Sequence, residues 1–343
     1  MSDCRQSLPL PGGAAQSRSR DSARADDAAR DEHSPVPRHL ALVLGGGGAA
    51  GNAWEIGVIA GLAEAGLDLT ADADLVVGTS AGATAAAQVR SGIPAADLLA
   101  AVLSEPDRPV RPSERVSSRS LPMATVFDRM RAIGAAATSA AELQCAMGAF
   151  GLECDRVLEP DAERRRAVVA ARLPRREWPD RPMILVAVDA HTGALAAFDR
   201  DSGVDLADAV TASCALPGLV PTHGINGGRY IDGGVRSAEN ADLASGYAHV
   251  IVLSPLGGRS LAPTDGGAGP AGQFEGLRRF PGTDLASQAE ALREQGSQVE
   301  VITPDADSRA AMGTNQMDLA TRAPAARAGF AQGRQEAAGL RFR

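Results

Sequence analysis

The sequence contains no lysine. All 34 basic residues are arginines and there are 42 acidic residues, so the formal net charge is −8. Proteins that bind the phosphate backbone of nucleic acids take their affinity from clustered basic residues. The acidic balance therefore argues against nucleic acid as a partner. The absence of lysine by itself indicates no function.

Cysteine is also scarce. The chain has neither the CxxC spacing of a zinc site nor the cysteine density of a disulfide framework. The four cysteines are Cys4, Cys145, Cys154 and Cys214. We therefore expect a reduced, cytoplasmic protein that needs no metal and no other cofactor.

Long apolar runs are missing as well. No stretch reaches the roughly 18 consecutive apolar residues that a membrane-spanning helix needs, so any contact with a membrane is expected to be peripheral. Hydrophobic residues still make up 44% of the 343 residues, enough for the core of one large domain or two smaller ones. Residues 1–38 are rich in Ser, Arg, Asp, Ala and Pro and are expected to be disordered, which leaves residues 39–343 for the fold.

Two strand–loop–helix units follow one another after residue 38. The apolar run HLALVL leads into GGGG and then into a helical pattern that contains Trp54, Ile56 and Leu62. The second unit runs from DADLVV through a turn at residues 78–80 into AGATAAAQVRSG. Consecutive units of this kind predict an α/β fold in which helices cover a mainly parallel sheet.

The middle of the chain has a different pattern. Residues 93–175 carry helical patterns without a clear strand, which predicts a helical insertion over one end of the sheet. Strands are predicted in MILVAVDA, ALAAFDR and HVIVLSPL, and a helix in LADAVTASCALPG. Residues 257–285 are loop-like, LASQAEALREQGSQVEVITP predicts a helix and a strand, and residues 324–340 predict a last helix.

The segment from Gly78 to Gly82, with Ser80 at its centre, fits the pattern G-x-S-x-G. A serine at a sharp turn between strand and helix needs neighbours almost without side chains, because chains approach closely there. The helix that begins at Ala81 points backbone N–H groups and its positive dipole end at the same place. The position after a strand and before a helix favours a nucleophile over a simple turn.

Asp232 is the candidate base that such a serine needs, since a hydroxyl is a weak nucleophile until a base accepts its proton. It follows the extended residues Tyr230 and Ile231 and precedes Gly233 and Gly234. Taken alone, the same residues are explained more simply as an Asp-Gly turn.

The glycine-rich loop at residues 45–51 has two interpretations. Its backbone N–H groups open a helix and could hold an oxyanion; the predicted donors are Gly46, Gly47, Gly48 and Ala81. Gly46, Gly48 and Gly51 also fit the G-x-G-x-x-G pattern of a dinucleotide site. That site needs an acidic residue at the end of the second strand, whereas Asp72 and Asp74 lie at its beginning. The oxyanion interpretation is therefore favoured.

With these three motifs the chain resembles the patatin-like phospholipase family, specifically its bacterial members. In that family a G-G-G-x-R-G loop supplies the oxyanion hole, G-x-S-x-G carries the serine, and D-G-G or D-G-A carries the aspartate. The matching segments here are residues 46–51, 78–82 and 232–234. TASCALPGLVP, residues 211–221, also resembles the helix and proline turn upstream of the family's aspartate. The likeness runs from about Leu40 to Leu256 and, more loosely, to the C-terminus.

The resemblance implies a three-layer α/β/α domain over residues 39–343, with residues 93–175 as an acyl-chain wall or lid. It implies a lipid acyl hydrolase, of phospholipase A type or an esterase, whose partner is a lipid or ester substrate. Asp232 would accept the proton of Ser80, Ser80 would attack the ester carbonyl, and the loop amides would hold the oxyanion. The oligomeric state is not predicted.

Two alternatives remain open. The family's loop arginine is Ala50 here, which favours a weak or inactive lipid-binding or regulatory protein as the second hypothesis. A Ser-His-Asp triad would need His191 or His223 as its base, although both are explained more simply as surface loop histidines.

Overall fold

A twisted sheet runs through the centre of the protein. The structure is a computed structural model that describes residues 39–105, 121–158, 162–257 and 279–340. Within these ranges the strands are β1 (Leu40–Leu44), β2 (Leu75–Thr79), β3 (Met183–Asp189), β4 (Leu195–Phe198), β5 (His223–Ile225), β6 (Gly228–Asp232), β7 (His249–Leu253) and β8 (Gln298–Ile302). Their order is β5-β6-β3-β2-β1-β7-β8, and β4 also pairs with β3.

The sheet is parallel through its centre and antiparallel at one edge. Strands β3, β2, β1, β7 and β8 pair in parallel in that order. The pairs β3–β4, β3–β6 and β5–β6 are antiparallel. The predicted α/β fold with a mainly parallel sheet is confirmed.

Helices account for most of the remaining described residues. They are α1 (Gly48–Glu64), α2 (Leu69–Asp72), α3 (Ala81–Val89), α4 (Ala95–Ser104), α5 (Met123–Ala136), α6 (Ala140–Leu158), α7 (Ala162–Ala170), α8 (Leu206–Ser213), α9 (Leu285–Glu294), α10 (Ala306–Met312) and α11 (Arg322–Glu336). The sequence patterns do not predict α2, α10 or β5. Each is too short for hydrophobic periodicity to be recognised.

Alternate side chains of β1 enter two separate cores, which is what makes the fold three-layered. Leu42 and Leu44 pack with helices α1, α3, α4, α8 and α11, whereas Ala41 and Val43 pack with α9 on the other face of the sheet. Successive side chains of a strand point to opposite faces, so an entirely apolar strand such as β1 fits only between two helical layers.

Helices α4–α7 lie in the stretch predicted as a helical insertion, and the described residues between 93 and 175 contain no strand. Val126, Met130 and Phe150 of α5 and α6 form a third core with Val188 and Ile231, which lie on β3 and β6. Helices α5 and α6 of the insertion therefore pack over the antiparallel edge of the sheet, whereas α4 and α7 belong to the core that contains Leu42 and Leu44.

Three remaining predictions concern disorder, loop and membrane segments. Residues 1–38, and 258–278 of the predicted loop 257–285, lie outside the described residues. In the part of the chain that is described, no helix has both the length and the apolar character needed to cross a bilayer.

Candidate active site

Ser80 is the single residue between β2 and α3. Strand β2 ends at Thr79 and α3 begins at Ala81. The φ of Ser80 is 54° and its ψ is −114°, a conformation that non-glycine residues seldom adopt. Strain of this kind persists only where surrounding contacts hold it, and it is typical of a serine presented at a strand-to-helix elbow.

The two glycines around Ser80 are required by close packing. A Cβ on Gly82 would lie 2.0 Å from the carbonyl oxygen of Leu44, and one on Gly78 would lie 2.6 Å from the oxygen of Gly82. The N–H of Gly82 also donates to the oxygen of Gly45 at 3.0 Å. The start of α3 thus lies directly against the loop that follows β1 and against the end of β2. A side chain at Gly82 would push α3 away from the loop, and one at Gly78 would push it away from β2.

Two residues at the end of α8, Ser213 and Cys214, hold the backbone of the elbow, although the sequence motifs predict no role for them. The N–H of Ser80 donates to Oγ of Ser213 at 2.9 Å, and that hydroxyl donates to the oxygen of Val186 at 2.6 Å. The thiol of Cys214 donates to the oxygen of Ser80 at 3.1 Å. Both residues lie in the segment TASCALPGLVP, which resembles a family segment. The sequence does not show that this segment contacts the backbone of Ser80.

Asp232 lies at the end of β6, opposite Ala187 of β3. Its side chain is buried, and its Oδ1 accepts a hydrogen bond from the N–H of Gly234 at 2.7 Å. A Cβ on Gly233 would lie 2.3 Å from the oxygen of Val186, so the turn after Asp232 can approach β3 only with glycine there. The Asp-Gly-Gly segment is therefore a tight turn that also leaves one carboxylate edge free.

The fold brings Ser80 and Asp232 together at one cavity, and the Ser80 side chain, as a hydrogen-bond donor, lowers the pKa of the Asp232 carboxyl. Burial raises the pKa of Asp232 from 3.8 to about 6. The hydrogen bonds from Ser80 and Gly234 and the positive charge of Arg165 lower it in part. A carboxylate with a pKa near 6 is ionised at neutral pH and is a better proton acceptor than a solvent-exposed aspartate.

The glycine loop supplies fewer free donors than the sequence suggests. The N–H of Gly46 donates to the oxygen of Ala238 at 2.8 Å, so the prediction of Gly46 as an oxyanion donor is corrected. Within the described residues, the N–H groups of Gly47, Gly48 and Ala81 have no backbone acceptor. The last two open helices α1 and α3, where the first N–H groups have no partner inside the helix.

Tight packing also fixes the start of α1. A Cβ on Gly47 would lie 2.5 Å from Cβ of Pro255, and one on Gly51 would lie 3.0 Å from it. Ala50 is fully buried, and its N–H donates to the oxygen of Gln316 at 3.0 Å. The position at which the family carries arginine is therefore enclosed by protein here.

The histidines proposed for a triad lie away from Ser80. His223 begins β5, not a turn, and is buried, so the expectation of a surface loop histidine is wrong. Its Nε2 lies 2.9 Å from Oδ1 of Asp208, and burial lowers its pKa. Neither His223 nor His191 lines the cavity that contains Ser80.

That cavity has a volume of about 700 Å³, within the range of about 300–1,000 Å³ that holds a small ligand. Ser80, Ala81 and Asp232 line it together with Gly46, Gly47 and Gly48. The helical insertion contributes an apolar wall that includes Met130, Leu143 and Met147.

The acidic residue that a dinucleotide site would need does not lie at the glycine loop in the described part of the chain. The carboxylate of Asp74 accepts hydrogen bonds from the N–H groups of His39 and Leu40, at the amino end of β1 and away from the glycine loop. Among the described residues, no group of three His, Cys, Asp or Glu side chains is placed to hold a metal ion. The absence of a metal or cofactor stays a prediction.

Comparison with known proteins agrees with the motifs. The family described as patatin-like phospholipase matches residues 42–245. The crystal structure of VipD from Legionella pneumophila is similar with a TM-score of 0.41 and 15% identity, over 89% of this chain and 67% of VipD. The type III effector protein ExoU gives a TM-score of 0.32 and 15% identity, over 88% of this chain and 54% of ExoU. This chain spans about two thirds of VipD and about half of ExoU. No curated protein matches it.

Proposed function

The chain belongs to the patatin-like phospholipase family, and from this premise we propose that it hydrolyses fatty-acyl esters through a dyad of Ser80 and Asp232. The placement of both side chains at one cavity, where Ser80 lowers the pKa of Asp232, carries the proposal, because it brings a nucleophile and a base together without a histidine. The strained backbone of Ser80 and the raised pKa of Asp232 support the same roles.

The reaction then has two halves. Asp232 accepts the Ser80 proton while Oγ attacks the ester carbonyl carbon, and the N–H groups of Gly47, Gly48 and Ala81 stabilise the oxyanion. The C–O bond to the alcohol breaks, and the alcohol leaves with the proton held by Asp232. Water, deprotonated by the same carboxylate, releases the fatty acid from Ser80.

The apolar wall of the cavity suits the acyl chain. Met130 of α5 and Leu143 and Met147 of α6 face the same space as Ser80. We therefore propose that the insertion binds the fatty-acyl part of the substrate. Closing of the insertion over the site as a lid remains a part of this proposal.

The dyad is tested with a chromogenic fatty-acid ester. Ser80→Ala and Asp232→Asn should each lower kcat/KM by at least about a hundred-fold, because each removes one member of the proton-transfer pair. Ser104→Ala, an exposed serine at the end of α4, is the matched control and should keep full activity. Full activity in both dyad variants would refute the assignment.

A catalytically silent lipid-binding protein is the second candidate, favoured by the buried Ala50 in the glycine loop. Labelling with a fluorophosphonate separates the two functions. An activated Ser80 reacts with the probe, whereas folded wild-type protein that stays unlabelled and still binds lipid would establish binding without chemistry.

A further inference from the structure

One short segment at the end of α8 touches the backbone of both dyad residues. It consists of Ser213, Cys214 and Ala215. The hydroxyl of Ser213 accepts the N–H of Ser80 at 2.9 Å, and the thiol of Cys214 donates to the oxygen of Ser80 at 3.1 Å. The oxygen of Ala215 accepts the N–H of Asp232 at 2.9 Å. Two residues that are distant along the chain are thus bonded to three consecutive ones.

The Ser213 hydroxyl interrupts the hydrogen-bond ladder between β2 and β3. The N–H of Val76 in β2 donates to the oxygen of Pro182, just before β3, at 3.2 Å. Four residues further along both strands, the same pattern would join the N–H of Ser80 directly to the oxygen of Val186. Instead, the Ser213 hydroxyl lies between these two groups, since it accepts from Ser80 and donates to Val186 at 2.6 Å. A side chain of α8 therefore replaces a bond of the ladder.

This insertion sets how far Ser80 lies from β3. A direct bond from N–H to oxygen is about 2.9 Å long, whereas two bonds in series hold the same groups further apart. Strand β3 pairs with β2 up to Val186 and with β6 from Ala187, which lies opposite Asp232. The separation between Ser80 and β3 therefore also determines where Ser80 lies relative to Asp232.

The segment is itself held firmly. Ser213 is fully buried, so bulk water does not replace its hydroxyl. Without that hydroxyl, the N–H of Ser80 and the oxygen of Val186 would either lose a partner or move together. Arg165 of α7, which lines the cavity, donates to the oxygen of Cys214 at 3.0 Å and fixes the segment from the side of the insertion.

We propose that Ser213 is a positioning residue for the reaction, whose hydroxyl holds Ser80 where it can transfer its proton to Asp232. Ser213 does not line the cavity, so it acts through the backbone of Ser80 and not on the substrate. Cys214 supports the same position through the oxygen of Ser80. The inference rests on the proposed hydrolase function.

Removal of the hydroxyl tests this role with the chromogenic ester. Ser213→Ala should lower kcat at least about ten-fold and change KM little, because a misplaced nucleophile reacts slowly although the substrate still binds. Ser213→Thr keeps a hydroxyl and should recover part of the loss. Thr211→Val is the matched control. It removes another buried hydroxyl bond of α8, from Thr211 to the oxygen of Ala207 at 2.5 Å, and should keep full kcat.

The pH profile is a readout that a loss of stability alone does not move. The Ser80 side chain lowers the pKa of Asp232, so displacement of Ser80 in Ser213→Ala should shift the midpoint of kcat/KM to higher pH. Two titratable side chains interact with Asp232: Arg165 lowers its pKa, and Cys214, whose own pKa burial raises to about 11, stays a neutral thiol. Ser213→Ala alters neither of them. The control variant in α8 should leave the midpoint in place.

Variants of Cys214 test the same segment if Ser213→Ala does not fold. Cys214→Ala removes the donor to the oxygen of Ser80 and should lower kcat, whereas Cys214→Ser keeps a donor and should retain more of it. Wild-type kcat and midpoint in folded Ser213→Ala, or an equal loss of kcat in Thr211→Val, would overturn the proposal. If only the Cys214 variants fold, equal kcat in both of them would overturn it.

A measurement without turnover separates this inference from the hydrolase function. Carbon-detected NMR of isotopically labelled protein follows the titration of the Asp232 carboxyl, with its signal assigned from Asp232→Asn. The pKa should lie near 6 in wild-type protein and should be higher in Ser213→Ala. If wild-type protein hydrolyses no ester but this difference is present, the hydrolase proposal fails and the positioning of Ser80 by Ser213 stands. If esters are hydrolysed and the pKa is the same in both proteins, the positioning role alone fails.

Discussion

Ser80 and Asp232 are both held in unfavourable states. Ser80 has a positive φ, and Asp232 is a carboxylate buried so deeply that its pKa is about 6. Strain and desolvation persist only when surrounding structure maintains them, and they cluster at functional sites. At the scale of single residues, the backbone strain at Ser80 and the burial of the Asp232 carboxylate therefore identify the site.

The pKa of Asp232 predicts how activity depends on pH. The carboxylate accepts the serine proton only when it is ionised. A plot of kcat/KM against pH should therefore rise to a plateau, with its midpoint near pH 6. Arg165→Gln removes a positive charge that lowers this pKa, so its midpoint should move to higher pH. Profiles of kcat/KM against pH on a neutral ester measure both midpoints, and an unchanged profile in the variant would contradict the expectation.

The raised pKa of Asp232 also predicts that the inactive variant Asp232→Asn is more stable than the wild-type protein at neutral and alkaline pH. The folded state binds the Asp232 proton more tightly than the unfolded state, whose pKa is about 3.8, so stability falls as pH rises towards 6 and stays low above it. Asp232→Asn should thus raise the free energy of unfolding by roughly 2–3 kcal/mol at about pH 8 and change it little near pH 4. Urea denaturation measures this, with Asp201→Asn, an exposed acid, as the unaffected control.

At the scale of elements, α1 and α11 are joined by backbone contact. A Cβ on Gly57 would lie 2.2 Å from the oxygen of Ala326, and one on Gly61 would lie 2.2 Å from the oxygen of Phe330. Gly329 and Gly333 of α11 face the backbone of α1 in the same way. Since the glycines of each helix are four residues apart, they form one smooth face, and α1 carries the glycine loop at its start.

Gly57→Ala should destabilise the protein although alanine is the better helix former. By helix propensity alone the change would stabilise by about 1 kcal/mol. The clash with the backbone of α11 should instead cost about 1–3 kcal/mol or more, because two main chains must separate. Gly339→Ala is the control, since its Cβ would meet nothing closer than 3.5 Å. A free energy of unfolding that stays the same or rises in Gly57→Ala would contradict the close crossing.

At the scale of the whole molecule, segments beyond the family match hold the site together. The match ends at residue 245, but the oxygen of Gln316 accepts the N–H of Ala50, and Arg322 donates to the oxygen of Ala49 and to Oδ1 of Asn52. Residues from the C-terminal part thus fix the start of α1. The conformation of the glycine loop therefore depends on contacts from Gln316 and Arg322 as well as on the loop's own residues.

Buried carboxyl groups behind this loop predict the pH dependence of global stability. Burial, and in smaller part the nearby Glu239, raises the pKa of Glu55 well above its ordinary value. A raised carboxyl pKa contributes stability that is lost as pH increases. Glu55→Gln should therefore raise the melting temperature at alkaline pH and change it little in acid, whereas Glu64→Gln, on the exposed end of α1, should have no such effect. A lower melting temperature at alkaline pH would contradict this.

The sequence by itself determined the α/β fold, the place of the insertion and the three motif segments. These motifs can be recognised in the sequence because Gly78, Gly82 and Gly233 lie where two backbone segments pack too closely for a Cβ. Such positions require glycine, so they appear as glycines at fixed spacing from Ser80 and Asp232. Only the tertiary structure decided that Gly46 is already bonded, that Arg165 reaches the cavity from a distant helix, and that α1 and α11 cross through glycines. Each of these depends on which remote backbone or charge lies opposite, and no spacing along the chain encodes that contact.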